Sequence, residues 1–332
     1  DEFNTNAFIW CKTEGEFENT IKRIEYIDTH DDEYIKMLCE NPLNDPHEIE
    51  KMYEKSLRGE KGVEVLMRDS RGRIQGAYRK GELDRSAKAG EDLTLTIDRS
   101  TQQVAEQLLQ NKIGSIVAIE PQTGEILAMV SAPYWDPRKL VGKDRSANYK
   151  ELLNDPNKPL MNRATQAQYS PGSTFKILQA LVALQEGSVT PNTKYPCKGR
   201  SSSPIKCTHN HGSPVDLEEG IEQSCNPYFW ALFRDMLQRD GYQDGNVLFK
   251  EHYSTWREII SSFGLGQRFE HTDIQEQAKG YLPTTEFYNN IYGETGWKAI
   301  TIRSLSIGQG EILTTPLQLA NQAAAIANKG YY

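Results

Sequence analysis

Ser173 and Lys176 stand three residues apart, behind Tyr169-Ser170-Pro171-Gly172 and ahead of an apolar run from Phe175 to Leu184. On a helix that spacing puts a hydroxyl and an amine on one face. The Pro-Gly pair ends an irregular segment and opens a helix N-terminus, where unpaired backbone N–H groups gather around Ser173. A serine hydroxyl is a weak nucleophile at neutral pH and needs a base beside it. A lysine can serve only where burial or nearby cations lower its pKa. The run after Ser173 is apolar on nearly every face, which predicts a central helix, and Lys176 is its only cation. A bare Ser-x-x-Lys pair also arises by chance, with the lysine stem reaching from a core helix to solvent, so the chemistry calls for a second element.

That element is Ser224-Cys225-Asn226, 51 residues beyond Ser173. Val215 to Gln223 reads as a short helix and Pro227 to Asp240 as another, with the tripeptide on the turn between them. A hydroxyl and a carboxamide held there can relay a proton and hydrogen-bond a substrate amide, since asparagine offers both donor and acceptor. Alone, the tripeptide reads equally as a helix cap. Tyr228, Phe229 and Trp230 read as core residues of the following helix.

Ser-x-x-Lys followed by a Ser-x-Asn triplet is the order found in penicillin-binding proteins and class A β-lactamases. Leu93-Thr-Leu-Thr-Ile-Asp98 with Gln102, Gly114-Ser-Ile-Val-Ala-Ile-Glu-Pro121 and Gly124-Glu-Ile-Leu-Ala-Met-Val-Ser131 resemble the opening of a penicillin-binding transpeptidase domain. Asn162-Arg163-Ala164, Phe263-Gly-Leu-Gly266, Ser306-Ile-Gly-Gln-Gly-Glu311 and Thr315-Pro-Leu-Gln-Leu-Ala320 continue the resemblance in the same order. It spans about residues 48 to 332 and is to the class B enzymes, in particular the penicillin-binding protein 2 group. Glu50-Lys-x-Tyr53 and Leu57-Arg-Gly59 resemble that group's pre-catalytic domain.

The resemblance implies an α+β fold: a transpeptidase domain of the serine β-lactamase-like kind over residues 93–332, with an antiparallel sheet and an all-helical subdomain, preceded over residues 1–92 by a partial pedestal domain. It implies a peptidoglycan D,D-transpeptidase in which Ser173 is acylated by a stem peptide and Lys176 accepts its proton. Ser224 returns a proton to the departing D-alanine, and Asn226 orients the substrate amide. The Ser173 N–H supplies half an oxyanion hole, worth about 3 kcal/mol for one donor. β-Lactams acylate the same serine, no cofactor is required, and a membrane glycosyltransferase of the elongation machinery is the implied partner. The implied location is the periplasmic face of the cytoplasmic membrane, on a single-pass anchor outside this chain.

The family's third motif, Lys-Thr-Gly, does not occur in the chain; Lys329-Gly330 belongs to a different family segment. The expectation is a chain that stops before the strand bearing that motif and is incomplete as an enzyme. Three other functions share parts of the pattern. A serine β-lactamase uses the same pair, but 172 residues precede Ser173 here, more than a compact β-lactamase needs. A β-lactam sensor would be acylated and signal, and a scaffold of the elongation complex would only present a surface.

The elements that must position these residues divide near residue 90. Residues 1 to about 47 are acidic and helical in pattern, with Phe17, Ile21, Ile24 and Ile27 at spacings for one buried face, and Cys39 to His47 breaks regularity. Residues 48 to 92 read as strands and turns. Leu93 to Ile97 alternates as a strand, Asp98 caps a helix to about Gln110, and Ser115–Ile119 and Glu125–Ser131 form a hairpin around Pro121 to Gly124. Helices dominate from Ser173 to Phe263 and again over Pro316 to Asn328. With 332 residues the chain can bury a sizeable core, and a formal charge of −8 with intermixed signs argues against a nucleic-acid surface. No apolar run approaches the ~20 residues that cross a bilayer. With the start at Asp1, this reads as the extramembrane part of a longer protein.

Five cysteines, at 11, 39, 197, 207 and 225, leave at least one unpaired. Cys197, Cys207, His209 and His211 fall in Cys-x9-Cys-x-His-x-His order, a complete donor set for structural zinc beside Ser224. A Cys197–Cys207 disulfide tying an exposed loop is the competing reading. Cys225 reads as a packed thiol, because no histidine adjoins it in sequence to activate it.

Overall fold

The computed structural model describes residues 52–68, 70, 72–241 and 247–330. The expectations for residues 1 to 47, including Cys11 and Cys39, lie outside the described residues. The described residues gather into two compact units. One takes the residues up to Thr96 with Pro133–Asn162 and His271–Glu276; the other takes Ile97–Ala132, Arg163–Glu270 and the residues from Gln277 onward.

In the first unit a short helix, α1 (Glu54–Arg58), precedes a two-stranded antiparallel hairpin of β1 (Leu66–Arg68) and β2 (Ile74–Ala77). The helix departs from the expectation of strands and turns alone; it buries Leu57. A Cβ on Gly90 would sit 2.0 Å from the Leu57 carbonyl oxygen, so only glycine lets the two backbones meet. A second helix in this unit, α3 (Arg145–Asn154), was not legible from the sequence.

The second unit opens on α2 (Arg99–Leu108), capped as expected by Asp98, whose carboxylate accepts from the Thr101 N–H. The Ser100 and Thr101 hydroxyls and that N–H hold the Asp98 carboxyl down to about 2. Upstream, the expected strand Leu93–Ile97 is irregular, with Leu93 and Leu95 exposed. Alternation supplies an apolar face, but a strand also needs a ladder to join, and no strand among the described residues includes these positions. The hairpin is present as β3 (Gly114–Ile119) and β4 (Ile126–Ala132), antiparallel with Gly114 opposite Ala132. Ala105 and Leu109 pack on Ala128, Val130 and Ala132 of β4. Gln102 fixes the pairing by bonding both the N–H and the carbonyl of Met129.

The helical core follows: α4 (Lys176–Gln185), α5 (Leu217–Glu222), α6 (Asn226–Gln238), α7 (Val247–Ser262), α8 (Thr285–Tyr292) and α9 (Pro316–Ala327). Tyr228, Phe229 and Trp230 are buried as expected. Trp256 lies at the centre, with the Phe233 and Tyr253 rings each 5.3 Å away and its Nε1–H donating to Gln179 Oε1 at 2.7 Å. The amide nitrogen of Gln179 donates to the Leu305 carbonyl at 3.2 Å, so this polar group in the core is satisfied at both ends. One expectation for α4 fails. It is not buried all round: Ile177, Leu181 and Leu184, one helical stripe, are exposed, while Leu178, Ala180, Val182 and Ala183 are buried.

Candidate active site

Ser173 lies in a 3₁₀ turn, Gly172–Phe175, that runs directly into α4. Its position is set from below and from the side. The Phe175 ring is fully buried against Trp256, and Gln322 of α9 donates to the Thr174 carbonyl at 3.0 Å. Gly172 N–H donates to the Gly308 carbonyl at 2.8 Å, and Tyr169 and Thr314 exchange two backbone hydrogen bonds. Gly308 has φ +66°, and a Cβ there would lie 2.3 Å from the Gly172 oxygen. Ser173 itself is exposed at the open first turn, where backbone N–H groups lack intrahelical partners.

Lys176 begins α4 and is 2% exposed, so the reading in which it reaches solvent is excluded. Its Nζ donates to the Ser224 carbonyl at 2.7 Å, to Ser224 Oγ at 2.9 Å and to Asn226 Oδ1 at 2.6 Å. The ring of Phe229 lies 5.6 Å from the ammonium. Burial brings the Lys176 pKa down to about 8, against an opposing pull from the neighbouring thiols of Cys225 and Cys207. No residue pattern marks Phe229 as the floor of this site, since core packing and this contact ask for the same residue type.

Ser224 occupies the left-handed region, φ +49°, where the chain leaves α5 and enters α6. Its N–H bonds the Ile221 carbonyl and the Cys225 N–H bonds the Gly220 carbonyl, which closes the end of α5 and aims the Ser224 side chain back at Ser173. Ser224 Oγ donates to Ser173 Oγ at 3.0 Å. The other face of Asn226 is held by the loop before α5, its Nδ2 donating to the Lys206 carbonyl at 3.2 Å. The four residues singled out for chemistry thus meet in one hydrogen-bonded group.

The expected zinc donor set is only partly assembled. Cys197, Cys207 and His211 come together, but the fourth member is Cys225; the donor atoms of these four lie within 4.8 Å of one another. His209 is outside, exposed at a bend, with its Nδ1 3.3 Å from Thr208 Oγ1. The bend turns its ring away although it lies two residues from His211. Cys225 could not be placed by spacing, because the fold rather than the local chain brings it to the loop. The thiols of Cys197, Cys207 and Cys225 are free, so the Cys197–Cys207 disulfide is not formed. Burial raises the Cys225 thiol to about 12. Burial also acts on Cys207, but the His209 N–H and the His211 and Cys197 side chains outweigh it and bring that thiol to about 7. The Gly212 carbonyl accepts from His211 Nδ1 at 2.8 Å, which leaves Nε2 facing the sulfurs, 3.3 Å from Cys207 Sγ. Tetrahedral zinc with bonds of about 2.3 Å to sulfur sets its ligands about 3.8 Å apart, a spacing this cluster can meet.

Residues 114–332 match the penicillin-binding protein transpeptidase domain, and residues 47–95 the penicillin-binding protein dimerisation domain. The chain is 32% identical over 289 residues to the peptidoglycan D,D-transpeptidase MrdA of Escherichia coli K12, matching 85% of this chain and 42% of the relative. It therefore spans less than half the length of that protein. Penicillin-binding protein A of M. tuberculosis, solved as a ceftriaxone acyl-enzyme, is similar at 27% identity and a TM-score of 0.59, over 73% of this chain and 52% of that one. A chain of a peptidoglycan synthase complex that coordinates polymerization and crosslinking is similar at 30% identity and a TM-score of 0.63, over 84% of this chain and 48% of that one.

Proposed function

Since the chain belongs to the penicillin-binding protein transpeptidase family, we propose that it carries the acylation machinery of a class B peptidoglycan D,D-transpeptidase. The observation that supports this best is the unbroken line from Lys176 Nζ to Ser224 Oγ to Ser173 Oγ, with links of 2.9 and 3.0 Å. With Lys176 charged, the line runs outward from the ammonium. With Lys176 neutral, its lone pair accepts from Ser224, Ser224 accepts from Ser173, and the nucleophile's proton has a path inward.

In that state Ser173 Oγ attacks the carbonyl carbon of the penultimate D-alanine of a stem peptide. Its proton passes through Ser224 to Lys176. The peptide C–N bond then breaks, and the proton returns through Ser224 to the departing D-alanine nitrogen. The amine of a second stem peptide displaces Ser173 from the ester, forming the crosslink. Asn226 orients the substrate amide, and β-lactams acylate the same oxygen. We read residues 1–92 as part of the pedestal and 93–332 as transpeptidase. The protein would stand on the periplasmic face of the cytoplasmic membrane beside a membrane glycosyltransferase.

Fluorescent penicillin tests the reading. The full-length protein labels and its Ser173→Ala variant does not; equal labelling of both, or of neither, refutes it. Rapid turnover of the label would instead favour a β-lactamase.

The cluster of Cys197, Cys207, His211 and Cys225 supports a second element of this reading: a structural zinc ion. Cys225 lies between Ser224 and Asn226, so the ion would tie the loop to the catalytic turn. The acyl-transfer chemistry itself rests on Ser173, Lys176 and Ser224.

A further inference from the structure

Between Glu186 and Asp216 a chain of net charge −8 contains no acidic residue but carries Lys194, Lys198, Arg200 and Lys206. Lys194 faces Asp216 at 3.9 Å. The side chains of Lys198, Arg200 and Lys206 are exposed and pair with no carboxylate among the described residues. We propose that these three cations form a recognition rim for a carboxylate-bearing stretch of the peptide substrate beside Ser173. The inference rests on the transpeptidase reading and adds a specificity surface to it.

Two observations place the backbone that carries the cations at the site. The Lys206 carbonyl accepts from Asn226 Nδ2, so a single peptide unit separates Lys206 from the group that would hold the substrate amide. The two limbs of the loop are joined by the Cys207 N–H bond to the Gly199 carbonyl at 3.1 Å, which sets Lys198 and Arg200 on either side of a residue facing Lys206's neighbour. The loop is a built structure. Ser202 Oγ accepts from the Lys198 N–H, and Ser213 Oγ accepts from the Cys197 N–H.

The cations are not consumed by the thiols behind them. Among the described residues the Sγ atoms of Cys197 and Cys207 bond Ser202, His211 and the Gly199 N–H, not an ammonium or guanidinium. Three exposed like charges with no partner are held together only at an electrostatic cost, which an incoming anion offsets. Lysine and arginine heads at the end of flexible stems suit a carboxylate that shifts position as the peptide enters. Such attraction is screened by salt over about 8 Å at physiological ionic strength.

The test compares two peptides identical but for one side-chain carboxylate, replaced in the second by its carboxamide. Binding is read by calorimetry on the full-length Ser173→Ala protein, so it does not depend on acyl transfer, whose occurrence is read separately by penicillin labelling. The carboxylate peptide should bind about three- to fivefold tighter at low salt, and the ratio should fall towards one at about 0.5 M salt. Combined Lys198→Glu, Arg200→Glu and Lys206→Glu substitution should invert it. Equal affinities at low salt, a ratio that salt leaves unchanged, or a ratio that survives the charge reversal overturns the proposal. The salt series needs no loop variant, so the outcome stands even if the triple variant fails to fold.

Discussion

The Ser224 hydroxyl lies 3.0 Å from that of Ser173 and 2.9 Å from the Lys176 ammonium, so the nucleophile meets its base through a second serine. The three hydrogens of a charged Lys176 are already spent on the Ser224 carbonyl, Ser224 Oγ and Asn226 Oδ1. Only loss of one of them can reverse the line and draw a proton from Ser173.

The pH dependence follows directly. Burial lowers the Lys176 pKa to about 8, and the reactive form is the neutral one. Below that value the neutral fraction, and with it the second-order rate of acylation by a fluorescent penicillin, should fall about tenfold per pH unit; above it the rate should level off. Lys176→Ala should slow acylation about 10²- to 10⁴-fold and remove this pH dependence. A rate that stays flat between pH 6 and 9, as about the working range for such an assay, would remove Lys176 as the base.

Ser224 combines a chemical role with a strained backbone, and substitution can separate the two. At φ +49° any residue with a Cβ is disfavoured by about 1–2 kcal/mol relative to glycine. Ser224→Gly should therefore be more stable to urea than Ser224→Ala by about 1 kcal/mol, while both lose acylation to a similar extent. Equal stabilities would show that the turn relaxes; retained acylation in either would show that the relay bypasses this hydroxyl.

Gly308 tests how the nucleophile is placed. A Cβ there would lie 2.3 Å from the Gly172 oxygen and 2.6 Å from Phe175 Cβ, and the left-handed φ adds its own cost. Gly308→Ala should destabilise the protein by about 2–4 kcal/mol and slow acylation by displacing Ser173, without moving the pH midpoint. Denaturant unfolding and the pH profile of labelling together check this, and a shifted midpoint would mean that Lys176 has been disturbed instead.

How far the sequence disclosed this depended on the range of the interaction. The Asp98 cap, the β3–β4 hairpin and the helices that carry Lys176 and Asn226 are set by neighbours a few residues away, and each lies close to where its residue pattern puts it. Leu93 to Ile97 shows the limit, because alternation cannot report whether a partner strand is present. The same holds for Cys225, which joins residues 14 to 28 positions earlier only through the meeting of the loop with α6. The Lys206 contact with Asn226 is made by a backbone carbonyl, which every residue type carries, and so left no mark in the sequence.

The metal reading makes a prediction that turns on two histidines. His211 presents Nε2 to the sulfurs of Cys197 and Cys207, while His209, two residues away, is turned outward. Elemental analysis after dialysis should find one zinc ion per chain in the unmutated protein and in His209→Ala, and substantially less in His211→Ala and Cys225→Ala. An ion present at a hundredfold its dissociation constant stabilises the fold by about 2.7 kcal/mol. Chelation should therefore lower the midpoint of thermal unfolding by about 5–10 °C. Because Cys225 separates Ser224 from Asn226, the same treatment should slow penicillin labelling, and added zinc should restore it. Loss of metal in His209→Ala equal to that in His211→Ala would mean that a different donor set binds the ion, and absence of zinc from the unmutated protein would leave the cluster as three packed thiols and an imidazole.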